Sequence, residues 1–191
     1  MKRLLLLLTA IIPATFVASA QNADEQAAMK AWMDYATPGK VHEMIAQSDG
    51  AWTFEMTMWQ KPGAPPSTTT GTTENKMILG GRYQESVHRA HMMGMEFEGH
   101  GWLGYDNAKK TFQSTWIDNM GSGTMLMDGK WDDATKSVTF TGKGYDPSAG
   151  KDMMIKQVHK IVDEDHQVVE MYMVNKGKEF KNMEIKLTRQ K

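Results

Sequence analysis

From Gly50 onward, hydrophobic positions recur at every second residue. Trp52, Phe54, Met56 and Met58 share one face of the first such segment, and Thr53, Glu55, Thr57 and Trp59 share the other, as a half-buried strand requires. The alternation returns in Val138/Phe140, Val169/Met171/Met173 and Met183/Ile185/Leu187. Segments of about ten residues alternate with turn-forming stretches such as KPGAPP, ILGGR, YDNAKK, DDATK, DPSAG, DEDHQ and NKGKE. This predicts an antiparallel meander. With too little helix to cover a large open sheet, the strands are expected to close on themselves, because closure removes exposed edges. The expected fold is mostly β: a single antiparallel up-and-down β-barrel of about nine or ten strands, wide enough to hold one small ligand.

Before Gly50 the period is helical. Asn22 is placed to cap NADEQAAMKAWMDYA, with Asp24 and Glu25 at the positive end of the helix dipole and Met29, Trp32 and Met33 at helical spacing. Thr37-Pro38 reads as the N-cap and first residue of a short second helix through Ala46, carrying Val41, Met44 and Ile45. One or two short α-helices are thus expected to precede the barrel as a lid or plug.

The first twenty residues have a different character. Lys2 and Arg3 precede an apolar run from Leu4 to Ile12, and Ala18-Ser19-Ala20 matches a small-residue cleavage site, which together read as a secretory signal peptide cut after Ala20. The run is broken at Pro13 and falls short of the ~20 residues of a membrane-spanning helix. The predicted organisation is a signal peptide over 1–20, a helical segment over 21–47 and a barrel over 48–191, with export to the periplasm and no transmembrane segment. The 191 residues include 18 methionines and no cysteine, so neither disulfides nor a lipidated cysteine enter the picture. Lys and Arg number 22 against 23 Asp and Glu, without a run of like charge, which argues against nucleic acid as a partner.

Gly50-x-Trp52 opens the first strand and Arg189 closes the last, which resembles the lipocalin-like (calycin) arrangement in which that tryptophan packs under a terminal arginine. Over the middle of the chain, LGGRYQES (79–86), GMEFEGHGWLGYDNAKKTFQSTWIDNMGSGT (94–124), GKGYDPSAG (142–150) and KNMEIKLTR (181–189) resemble the bacterial domain-of-unknown-function family 1579. The likeness runs from His42 to Arg189, and the GYDN…W-x-D block is its most specific part. It implies a secreted lipocalin-like barrel and brings no assigned activity. Ala51 departs from it, standing where the family has glutamate.

Motifs with catalytic meaning elsewhere lose it here. Gly99-His100-Gly101-Trp102-Leu103-Gly104 fits G-x-G-x-x-G, but a hairpin turn follows it where dinucleotide binding needs a helix N-terminus. His42-Glu43 begins H-E-x-x-H, yet Ala46 occupies the second ligand position. His88 and His91 are three apart on a strand and face opposite sides. Acidic pairs such as Asp132-Asp133 fall in turns, no G-x-S-x-G elbow exists, and no catalytic set is named. HMMGM (91–95) combines imidazole with thioethers, donors that suit Cu(I), but Met93 and Met95 are expected on one face and Met92 on the other, so no metal site is assigned.

The function this supports is binding of a small apolar or amphipathic molecule in a methionine- and aromatic-lined barrel cavity, without a cofactor. Met56/Met58, Met125/Met127 and Met171/Met173 each share a strand face, and methionine repacks readily around varied ligands. The candidate ligand-binding residues are Arg82, Met93, Met95, Tyr105, Trp116 and Asp118. Arg82 and Asp118 are expected to pair and orient a polar group or to close the barrel, while Met93 and Met95 sit at the rim. Two alternatives remain: an enzyme using Asp118, Tyr105 or a histidine in the same cavity, and copper handling through residues 91–95.

Overall fold

A computed structural model of the chain describes the backbone from residue 15 to residue 191 and side chains from residue 23 onward. The basic pair Lys2 and Arg3, the apolar run and Pro13 lie outside the described residues. The chain forms two compact units, Met1–Thr37 and Pro38–Lys191.

The first unit contains α1 (Thr15–Ala36). Asn22 lies inside this helix rather than capping it, because the residues from Thr15 to Gln21 include no glycine or proline to interrupt helical backbone. At its end the Thr37 hydroxyl donates to the Met33 carbonyl at 2.6 Å, and Pro38 stops the helix. Thr37 therefore closes α1 and does not open the next helix. In the second unit α2 (Lys40–Ala46) starts from Gly39, whose N–H donates to His42 Nδ1 at 3.1 Å. A side chain three positions into a helix that reaches back in this way satisfies an amide with no partner within the helix.

Ten antiparallel strands follow: β1 (Gly50–Met58), β2 (Ser67–Ile78), β3 (Tyr83–Met92), β4 (Met95–Asp106), β5 (Thr111–Asp118), β6 (Met125–Asp132), β7 (Ser137–Asp146), β8 (Lys151–Ile161), β9 (His166–Asn175) and β10 (Lys178–Arg189). Each pairs with its sequence neighbours, and β1 also pairs with β10, closing the barrel. Trp52, Phe54, Met56 and Leu187 are buried inside, whereas Glu55 and Lys186 point outward.

The turns follow from local chemistry. Asp106, Asp132 and Asp146 end strands and Asp163 lies in the β8–β9 turn, and each carboxylate accepts backbone N–H groups two or three residues on. Backbone donation chiefly holds the Asp106, Asp132 and Asp163 carboxyls below their usual pKa range, and for Asp146 the Ser148 hydroxyl at 2.6 Å contributes most, ahead of the backbone N–H groups. The acidic turn residues thus build the hairpins. Between β3 and β4 the two-residue turn Met93-Gly94 has φ of 52° and 79°, the doubly left-handed geometry that matches strand twist. It sets Met92 directly opposite Met95, so these two share a register position and Met93 stands apart in the turn. The face that Met93 and Met95 would share in an unbroken strand is lost because the strand ends at Met92 and the chain turns at Gly94, the residue expected to end the alternation.

The inner side chains form two clusters. One centres on Trp52, Phe54, Met56, Met92 and Leu187; the other joins Phe112, Met127, Val138 and Phe140 to Ile45 of α2. Hence α2 plugs the end of the barrel where β1 begins. Arg189 fixes that end: its guanidinium carbon lies 4.3 Å from the centre of the Trp52 ring, and its three nitrogens donate to the carbonyls of Glu164, Asp49 and Gln47. Trp52 Nε1 donates in turn to the Ser48 carbonyl at 2.9 Å.

Candidate functional site

Up-and-down strands divide the interior into the α2 end and the far end, which carries the β3–β4 turn and the β5–β6 loop. Arg82 lies at the α2 end and Asp118 at the far end, so the expected pair does not form. Arg82 is exposed, and its Nη1 donates to the Leu79 carbonyl of its own turn at 3.0 Å. Asp118 accepts from Trp116 Nε1 at 2.7 Å and from the Met120 N–H at 2.9 Å, which commits both oxygens to orienting that indole and the loop after it.

Trp116 occupies the interior because the opposite strand makes room for it. A Cβ at Gly99 would strike its six-membered ring, and Gly101 lies under the same ring. The glycine spacing that resembled a nucleotide-binding loop is therefore a slot for an indole. His88 packs against Trp116 with ring centres 5.0 Å apart, and Phe97 lies nearly parallel to the indole at 6.4 Å. Tyr105 belongs to the α2 end, 5.0 Å from Phe112 and 6.1 Å from His42 between ring centres. Met93 and Met95 are exposed on the far rim. Of the six candidates, the structure brings together only Trp116 and Asp118.

A cavity lies elsewhere. About 700 Å³ opens at the α2 end, walled by Met44 and Ile45 of α2, by Phe112, Trp131 and Val138 of the strands, and by Ile161. Its polar contributors are His159 and Gln167 of the strands, Gln47 and Ser48 after α2, Asp163, Glu164 and Asp165 on the β8–β9 turn, and Arg189. His159 Nε2 and Gln167 Oε1 are 2.8 Å apart. Burial pushes the His159 pKa down, and burial, followed by the His159 and His100 charges, lowers that of His88 to about 4. Both imidazoles are neutral at pH 7. His88 Nδ1 meets the Thr73 hydroxyl at 2.8 Å, and β3 and β8 stand opposite each other in the ring of ten strands.

The sequence reading passed over His159 and Gln167, yet a signal was present. Counting in twos from Ile155 places His159 and Ile161 on one face, and counting back from Met171 through Val169 places Gln167 on another inward face. Among the described residues, the histidine–carboxylate pairs are His91 with Glu96 and His100 with Glu98, away from the cavity, and His166 with Asp163 at its rim. In the 91–95 segment, His91 points outward, Met92 is buried and Met93 is in the turn, which spreads the soft donors over two sides of the wall. Among the described residues no helix is long and apolar enough to cross a membrane, and no group of three or more His, Cys, Asp or Glu is arranged to hold a metal.

A family model described as protein of unknown function (DUF1579) matches residues 37–189. No curated protein matches the chain. Among solved structures, the crystal structure of Rv2717c from M. tuberculosis is similar with a TM-score of 0.59 at 12% identity, covering 81% of this chain and all of that one. At that identity the likeness concerns the barrel fold.

Proposed function

Starting from the chain's membership of the DUF1579 family, whose function is unknown, we propose that this is an exported binding protein that holds a small apolar or amphipathic molecule at the α2 end of its barrel. The observation that carries this reading is the cavity of about 700 Å³, within the range of roughly 300 to 1,000 Å³ typical of small-molecule sites. Its walls are the flexible and flat side chains such a ligand favours, Met44 from the helix with Phe112 and Trp131 from the strands. Export is supported by the basic and apolar start of the chain and its Ala18-Ser19-Ala20 site. The outward face of the wall carries charged residues such as Glu55, Lys130 and Lys186, a pattern that suits water.

Native mass spectrometry of protein purified from its host tests the reading. A bound species of a few hundred daltons that leaves on denaturation is expected, and an alkyl probe should displace it and change Trp131 fluorescence. Absence of any adduct, together with no response to alkyl probes, would overturn the binding function.

A further inference from the structure

The cavity's polar chemistry narrows its ligand. His159 comes from β8 and Gln167 from β9, and Gln167 is only 5% exposed. They share one hydrogen bond, which leaves the other ring nitrogen of His159 and the other amide atom of Gln167 without a protein partner among the described residues. Neither atom is sealed in: the sealed polar side-chain atoms without partners, among the described residues, are Asn75 Oδ1 and Thr115 Oγ1. Both residues line the cavity.

What these atoms offer does not depend on how the shared proton is assigned. If His159 donates to the amide oxygen, a bare imidazole nitrogen and an amide NH₂ remain. If the amide group is turned and donates to His159, an imidazole N–H and an amide oxygen remain. In either case one donor and one acceptor remain on this pair, among the apolar walls of Met44, Ile45, Phe112, Trp131 and Val138. A ligand group that both donates and accepts would complete the pair.

The same surroundings disfavour an ionised head. Arg189, the cation lining the cavity, spends three of its five N–H groups on backbone carbonyls and has the Asp165 carboxylate 3.5 Å from its Nε, so its charge is already matched within the protein. Asp163, Glu164 and Asp165 place negative charge at the rim. His159 is neutral, held so by burial. An anion entering here would lose its hydration and meet an arginine already paired with Asp165, beside three acidic residues.

We propose that His159 and Gln167 form the head-group site of this cavity, and that its ligand carries an uncharged head that both donates and accepts a hydrogen bond, such as a primary amide or an alcohol, on an apolar body. The inference rests on the cavity being a binding site. Three probes with one ten-carbon tail separate the two ideas at pH 7.5: decanamide, N,N-dimethyldecanamide, which cannot donate, and decanoate, which is charged. Calorimetric titration is expected to give decanamide at least tenfold tighter binding than either of the others. The double variant His159→Phe/Gln167→Leu removes both polar partners together, so it leaves no orphan behind, and it should bind the two amides equally while melting as the natural protein does. Binding of all three probes within about threefold, or tightest binding of decanoate, overturns the head-group inference and leaves the cavity reading standing. No binding of any probe overturns both.

Discussion

Thr73 is 2% exposed, and its hydroxyl meets His88 Nδ1 in the middle of the wall. An unfolded histidine binds a proton near pH 6.5, whereas folded His88 resists it down to about pH 4. Between those values the unfolded state holds more protons, so stability rises with pH through this window, is complete above 6.5, and is lost as pH falls towards 4. The shift corresponds to about 3 kcal/mol. His159 and His42, also lowered chiefly by burial, act in the same direction. Urea unfolding at pH 7 and pH 4.5 should show a marked loss for the natural protein and a smaller loss for His88→Phe, whose ring fits the aromatic surroundings but cannot titrate. Equal losses in the two proteins would mean that His88 is not a source of the pH dependence.

At the scale of elements, the terminal strand and α2 are joined by Arg189. Its fork reaches the carbonyls of Gln47 and Asp49 after the helix and of Glu164 in the β8–β9 turn while its plane covers Trp52. A lysine keeps the charge but cannot supply three donors in fixed directions or lie flat on an indole. Arg189→Lys is therefore expected to cost roughly 2–4 kcal/mol by loss of charge-assisted hydrogen bonds and the ring contact. It should also raise amide exchange at residues 47–52 relative to the rest of the barrel. A change below about 0.5 kcal/mol, the range of ordinary surface substitutions, would show that the ring and carbonyl contacts contribute little.

At the scale of the whole molecule, closure removes every free strand edge. Met56 pairs with Ile185 on one side and Thr69 on the other, and each strand likewise has two partners. In such a ring there is no edge position where a missing N–H is harmless. Glu55→Pro should thus destabilise by about 3 kcal/mol or more, whereas Glu55→Thr, which removes the same outward carboxylate, should be nearly neutral. Circular dichroism melts of the two variants check this. Similar melting temperatures would indicate that β1 is not an essential closing strand.

The sequence by itself determined the architecture because strand period, turn chemistry and the Trp52–Arg189 pair are local or terminal signals. Two-residue alternation marks which side of each strand is apolar, and Asp106, Asp132, Asp146 and Asp163 mark where strands end. It did not determine what meets across the interior, since alternation says that a side chain points inward but not at which height or against which neighbour. Asp118 and Arg82 both read as candidate charges, and only the register, which pairs Gly99 with Asp118 and Tyr83 with Gly104, puts them at opposite ends. His159 and Gln167 sit on neighbouring strands, offset by one inward step, with His159 beside Val169 and Ile161 beside Gln167. Their contact, and the cavity they line, arise from strand stagger and from α2 filling the barrel end incompletely, which are properties of the packed ring rather than of any segment.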